Sequence, residues 1–393
     1  MPISAASFQA IFAYAALLLG TAVAAYILIG YPILLKLICG RPPRPVAKDL
    51  KHQSTVSVVM AVYNGADFIR PKLESLLALD YPRELVQILV VSDGSTDATN
   101  AIVREFSARG VQLLEASHGG KAAAVNLALA HATGEILFFT DVRQPLDRMA
   151  LRHLVANFAD PSIGAVTGEL RLIRGTGGEQ IDMDLYWRYE VWARTIHSGI
   201  DSIFAVTGCI YAMRRSLAAP LPPSTLSDDA ILPLRAFFKG YRVVFDPEAI
   251  ATDAPAVSGT EFRRRRRNLA GLWQVWVRMP ELFTSRNRMR LHFLSHKFGR
   301  LALPWAMLLI AGATLALPAS PFRTGLVVGD LALVLIALLD PIVPREFPFK
   351  RLSSPARTFL VMNAASLVAL QVFFTPANKL WIPTKVDARE PRP

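Results

Sequence analysis

The sequence has almost nothing with which to cross-link itself. Its 393 residues include two cysteines, Cys39 and Cys209. That excludes a disulfide framework and fits a main domain kept in a reducing compartment. Each thiol reads as a small apolar filler. Charge of either sign is missing from Phe8 to Leu35. Acids are scarce where bases crowd: Arg263 to Arg300 holds eleven Lys and Arg against one acid, Glu281. A nucleic-acid surface needs such bases beside stacking aromatics in a soluble domain. Here the basic block runs straight into an apolar segment at Leu301, so an anionic membrane face is the expected partner and nucleic acid is not.

What is present is apolar residue, 52% of the chain with a mean hydropathy of +0.33, concentrated at the two ends. The run at 8–38 exceeds the ~20 residues that cross a hydrocarbon core. It lacks the basic start and short apolar core of a secretory leader, so it reads as a retained span. Arg41, Arg44, Lys48 and Lys51 follow it among Pro42, Pro43 and Pro45, a stiff linker on the cytoplasmic side by the positive-inside rule. Leu301–Leu317, Leu326–Val343 and Phe359–Phe374 are three further apolar runs. The expected division is a span at 8–38, a cytosolic domain at 52–275, a basic interfacial region at 276–300, three spans within 301–378, and a tail at 379–393. Asp330 in the second of these runs is expected at the interface. The tail bases Lys379, Lys385, Arg389 and Arg392 sit poorly with the external face this count assigns them.

Between the flanks, strand and helix alternate. Thr55–Val62, Leu85–Val91, Val111–Glu115 and Glu135–Thr140 read as strands. Phe68–Leu79, Ala98–Ala108 and Lys121–His131 read as helices. That alternation predicts an α/β fold with a mainly parallel sheet. The later stretch is less regular, with helices over Asp147–Phe158, Asp182–His197 and Asp229–Lys239, and strands over Ala165–Ile173, Gly208–Met213 and Tyr241–Phe245.

Three acidic stations punctuate this domain: Ser92-Asp93-Gly94-Ser95-Thr96-Asp97, Thr140-Asp141-Val142-Arg143 and Ser227-Asp228-Asp229. The first two close apolar strands, and strand carboxyl ends are where open α/β sheets bind ligands. Carboxylates suit a divalent metal on a nucleotide diphosphate.

Val56 to Gly65, Val90 to Asp97, Gly120-Lys121-Ala122-Ala123-Ala124-Val125-Asn126 and the Asp141 segment together resemble family 2 glycosyltransferases with the GT-A fold. Later pieces resemble the membrane synthase branch that makes cellulose, hyaluronan and poly-N-acetylglucosamine. The likeness covers roughly residues 54 to 275. It implies a nucleotide-sugar donor, expected to be a UDP-sugar, and transfer with inversion to a growing polysaccharide at the inner membrane. The alternatives are one sugar added to a lipid or short glycan, and a degenerate transferase serving as scaffold.

By that resemblance Asp93 contacts the base or ribose, Tyr63 lies near the base, Asn64 shapes the turn and Lys121 faces the phosphates. Asp141 holds Mg2+ or Mn2+. The family's second metal acid is replaced by Arg143, which would neutralise phosphate directly. Asp229 is the general base and Asp228 orients it; helix capping is the bland role for either. Counting back from Gly271, Arg264 and Arg267 fall on the Gln and Arg of Gln-x-x-Arg-Trp, while Asn268 takes the Trp place. Arg267 then grips the diphosphate, and Arg264 stands evenly between that role and a membrane-surface one. Trp187, Glu190, Gly208 and Cys209 resemble acceptor elements, though aromatics at the spacing of Tyr186 to Trp192 are commonly core. His292 and His296 share a helix face without a third ligand and read as interfacial.

Overall fold

The computed structural model describes residues 5–38, 43–172, 180–253, 261–344 and 347–375, with side chains excepted at 5, 6, 180–186 and 261. Cys39, Arg41, Pro42, Arg345, the Tyr186 side chain and the tail bases lie outside that description.

Seven strands form one sheet. They are β1 (Val56–Val62), β2 (Val86–Asp93), β3 (Val111–Ala116), β4 (Ile136–Phe139), β5 (Ile163–Leu172), β6 (Tyr211–Arg214) and β7 (Arg242–Asp253). Their order is β3-β2-β1-β4-β6-β5-β7. β1, β2, β3 and β4 pair in parallel, as do β5 and β7. β6 runs antiparallel to both β4 and β5 and joins the two groups. The sheet is mostly parallel, as the alternation of elements predicts.

Helices cover both faces, which is why the inner strands are almost continuously apolar. α3 (Ala66–Leu77), α4 (Thr99–Glu105) and α6 (Ala150–Ala156) cover one side. α5 (Lys121–His131) and α8 (Asp228–Phe238) cover the other. Val58 and Met60 of β1 join the core beneath α3 and α6, while Val59 joins the core beneath α5 and α8. Ile69, Leu73 and Leu76 are the buried apolar residues of α3; Phe68 is only half-buried.

The first helix, α1 (Ala5–Ala25), continues through a π-turn into α2 (Tyr31–Ile38). α7 (Gln180–Ile200) packs Ala193 and Ile196 against Tyr31 and Leu35 of α2. After the domain come α9 (Glu261–Arg278), α10 (Arg290–Phe293), α11 (Gly299–Ala316), α12 (Pro321–Leu339) and α13 (Lys350–Val368). Among the described residues, four helical stretches are long and apolar enough to cross a membrane: Ser7–Ile38, Arg290–Ala316, Pro321–Ile342 and Lys350–Phe373. The second begins at Arg290 because α10, a π-turn and α11 are continuous, so bases expected in a separate interfacial region extend the apolar helix. Gly20 is a close approach: a Cβ there would lie 2.9 Å from Ile310 Cγ1, so the missing side chain lets α1 lie against α11. Asp330 is exposed on α12. Asp340 is buried and paired with Lys350 at 2.9 Å and Arg357 at 3.3 Å, which fixes the α12–α13 turn.

Candidate active site

The exits of β1, β2 and β4 open onto one cleft. At the first, Asn64 adopts φ 49°, a left-handed geometry that asparagine tolerates. Its side-chain oxygen accepts from Thr96 N at 2.8 Å, and its own N–H donates to Ser95 Oγ at 3.1 Å. Asp97 serves two helices. One oxygen accepts from Thr99 N at the start of α4, the other from Ala66 N at the start of α3, each at 3.0 Å.

Asp93 is 4% exposed. Its carboxylate accepts from Gly119 N at 2.8 Å and Gly120 N at 3.0 Å. Gly94, at φ +71°, passes so close to His118 that a Cβ would lie 2.8 Å from its backbone nitrogen. The His118 ring stands 4.5 Å from that of Tyr63. The resemblance implies that Asp93 contacts the base or ribose. Its carboxylate accepts from the Gly119 and Gly120 N–H groups and lies 3.1 Å from His118 Nδ1, and so holds the loop that delivers Lys121. The Tyr63–His118 ring pair lines the same corner. Sequence reasoning missed His118; its place just before Gly119-Gly120-Lys121 was the available signal.

Lys121 opens α5 and reaches across the cleft. Its Nζ lies 3.2 Å from Asp141 Oδ1 and 3.4 Å from Asp228 Oδ2. Burial alone would lower its pKa, but the carboxylates of Asp141, Asp228 and Asp229 reverse this and hold it above the usual lysine range. Asp141 is driven upward by burial and more strongly downward by Lys121, Lys72 and Arg143, so it stays ionised. For Asp229, burial and the adjacent Asp228 dominate over Lys121 and Arg267 and raise the carboxyl to about 7. A carboxylate near neutral pKa is suited to taking a proton at neutral pH.

Gly208 borders this cluster: a Cβ on it would lie 3.5 Å from Asp229 Oδ2 and 3.8 Å from Lys121 Nζ. Arg267 of α9 is within electrostatic reach of Asp141, Asp228 and Asp229, with Arg264 beside it. Asn268 is exposed on the same helix.

Other expected site residues lie elsewhere. Arg143 turns to Asp253 at 2.6 Å, where Gln144 Nε2 also donates at 2.8 Å; its guanidinium is engaged by a carboxylate on β7 rather than open to a phosphate. Cys209 is buried in the core. Its carbonyl accepts from Thr140 Oγ1 at 2.8 Å, and burial pushes its thiol well up, so the residue contributes packing and backbone. Trp187 Nε1 donates to Leu170 O at 3.1 Å. Glu190 is paired with Lys297 and Arg300 and hydrogen-bonded to His296 Nε2. His292 and His296 are buried against Tyr31 and His197 rather than interfacial. Behind Asp141 lies Lys72, 2% exposed, a lysine on the apolar face of α3 that sequence reasoning did not single out.

The oxygen donors suit a hard divalent cation. The Asp141 side chain is 41% exposed and can present an oxygen outward. Asp228 Oδ2 is buried without a hydrogen-bond donor. Among the described residues no group of three His, Cys, Asp or Glu side chains could hold a metal ion, so phosphate oxygens and water would supply the remaining ligands.

Residues 57–220 match the model for glycosyl transferase family 2, and residues 146–347, more than half the chain, match that for glycosyl transferase family group 2. The chain is 27% identical over 260 residues to probable glycosyltransferase YdaM of Bacillus subtilis (strain 168), covering 63% of this chain and 62% of that protein. It is 24% identical to the poly-beta-1,6-N-acetyl-D-glucosamine synthase of Staphylococcus aureus, over 58% of this chain and 54% of that one. These alignments span little more than half the length of the curated relatives. Among solved structures, a mannosyltransferase from Pyrobaculum calidifontis in complex with GDP-Man and Mn2+ superposes with a TM-score of 0.73 at 26% identity, over 91% of this chain and 99% of that one.

Proposed function

The chain belongs to glycosyl transferase family 2, and from that premise we propose that it transfers a sugar, with inversion, from a nucleotide diphosphate donor to an acceptor at the cytoplasmic face of the inner membrane. Glycosyl transfer from a nucleotide sugar goes with the family. The direction, metal and acceptor are our reading.

The observation that carries it is the placement of Asp229. Its carboxyl, raised to about 7, borders the open Gly208 position and faces Asp141 across Lys121. The diphosphate fits the Asp141 side, where Lys121 and Arg267 bring positive charge. The acceptor hydroxyl fits the Gly208 side. Asp229 takes the hydroxyl proton as the oxygen attacks the anomeric carbon, and Asp228 and Lys121 fix its orientation. The bond to the diphosphate breaks on the opposite face, which inverts the centre. Asp141 would hold Mg2+ or Mn2+, which when bound supplies charge to the leaving diphosphate; the relative with GDP-Man and Mn2+ supports this. Asp93, Asn64 and the Tyr63–His118 pair shape the nucleotide corner. The donor expected from the sequence is a UDP-sugar.

Asn268 favours transfer of one sugar to a lipid-linked acceptor, because no aromatic floor for a polymer end stands at that place. Polysaccharide extension is the second reading, favoured by the likeness to a poly-N-acetylglucosamine synthase. Incubating purified protein with labelled UDP- and GDP-sugars and membrane lipid, then sizing the product, separates them. A lipid-soluble product one sugar larger supports the first; a polymer ladder supports the second; no transfer from any donor overturns both.

A further inference from the structure

Asp253 ends β7 beside the segment that presents Asp141, and no step of the transfer uses it. It is 5% exposed. Its Oδ2 accepts from Arg143 at 2.6 Å and from Gln144 Nε2 at 2.8 Å. The backbone closes the same seam: Thr252 N donates to Pro145 O and Asp147 N donates to Ile250 O, each at 3.0 Å. From the other side Lys72 donates to Gln144 O. The arginine two residues beyond Asp141 is therefore tied back by a built contact, with Asp253 as its anchor. Among the described residues Arg143 Nε has no hydrogen-bond acceptor, so loss of Asp253 leaves the guanidinium without a tether.

The tie matters because of where Arg143 starts. It stands two residues past the carboxylate that suits the metal, and its charge reaches Asp141: burial, Lys121, Lys72 and then Arg143 act on that carboxyl. A guanidinium is a bidentate partner for carboxylates and for phosphates. Released, it competes with a divalent cation for both. Held by Asp253, its positive charge is offset, and the Asp141 side chain, 41% exposed, is left to other partners. An uncompensated unit charge is felt strongly in a half-buried site, so a free guanidinium this close weakens the binding of a second cation.

We propose that Asp253 is a positioning residue: it restrains Arg143 so that a divalent cation, and not the guanidinium, neutralises the donor diphosphate at Asp141. This rests on the transferase reading above and deepens its metal assignment. Asp253 acts through Arg143 and does not touch the ion. The chain thus carries a cationic side chain in its metal segment and disarms it with a carboxylate 110 residues away.

The test uses the full chain in neutral detergent. Mn2+ binding is followed by electron paramagnetic resonance, and UDP and GDP binding by calorimetry with Mn2+ or with EDTA. Asp253→Asn should weaken Mn2+ binding about tenfold and tighten the better nucleotide about fivefold in EDTA, because the freed Arg143 takes the diphosphate. Asp253→Asn combined with Arg143→Gln should return both affinities to within about threefold of the native chain, a compensation that neither a damaged fold nor a lost metal ligand gives. Asp253→Glu should retain most of the native Mn2+ affinity. Native-like Mn2+ affinity in Asp253→Asn overturns the proposal. So does Mn2+ binding as weak in the double variant as in the single one, which would make Asp253 a ligand or a brace. If the native chain binds no Mn2+ while Asp253→Asn still tightens the nucleotide and Arg143→Gln cancels the gain, the metal reading fails and the restraint of Arg143 stands.

Discussion

The ammonium of Lys72 lies 2.7 Å from the hydroxyl of Thr140, the residue immediately before Asp141. It also donates to Gln144 O at 2.5 Å, so one buried side chain grips both ends of the segment that presents Asp141. Burial dominates over the nearby Cys209 and Asp141 and lowers its pKa to about 7. In the unfolded chain the same lysine binds its proton to about pH 10.4. Between pH 7 and 10 the unfolded state therefore holds more protons, and this group makes stability rise with pH. Lys72→Met should flatten that rise, read as the difference in melting temperature between the two proteins across the interval. It should also weaken Mn2+ binding in the presence of UDP, because the Asp141 segment loses its brace. Parallel stability curves for the two proteins would contradict the assignment.

Asp229→Asn should lower the turnover number by about 10^2 to 10^4, the range of a lost general base, while UDP affinity stays within about twofold. In the native enzyme the base must be deprotonated, so the rate should climb as pH passes about 7 and then level. Steady-state kinetics from pH 5.5 to 9 check both points. A turnover number that falls over that range would assign Asp229 another role.

Asp141→Asn should abolish Mn2+ binding to the UDP complex, followed by electron paramagnetic resonance. Undiminished Mn2+ binding would place the metal on other residues.

Gly94 and Gly120 both have positive φ, +71° and +84°. A Cβ on Gly94 would meet His118 backbone at 2.8 Å, and one on Gly120 would meet nothing within 4 Å. Gly120→Ala, at φ 84° and ψ 166° in a region essentially reserved for glycine, should cost about 1–3 kcal/mol in backbone strain, and Gly94→Ala should cost more because it adds the clash with His118 to its own positive-φ strain. Denaturant or thermal curves for the two proteins give the ranking, and nucleotide affinity should follow it.

Local pattern carried the first half of the fold. α5 begins at Lys121 and ends at His131, as its spacing predicts, and the apolar runs before Asp93 and Asp141 are strands. Non-local pairing was not legible. Nothing near Asp93 announces that Gly119 and Gly120 consume its carboxylate. Nothing near Arg143 points to Asp253, 110 residues away. Glu190 looked like an open acceptor contact because its cations lie more than a hundred residues later on another helix. Cys209 sat in the expected acceptor segment, yet the turn before β6 buries its side chain in the core.

The sheet is continuous only through β6, four residues that pair with Phe139 and its neighbours on one side and with Ala165 to Thr167 on the other. During synthesis β4 leaves the ribosome with its outer edge bare, and about seventy residues must follow before the strand that closes it. β5 emerges in that interval with neither sheet neighbour made. The second half of the sheet can therefore join the first only after β6 has emerged, and Asp229 follows β6 in the chain. Under the roles proposed above, the residues assigned to the nucleotide, Asn64, Asp93 and Lys121, are all made before the residue assigned as the base.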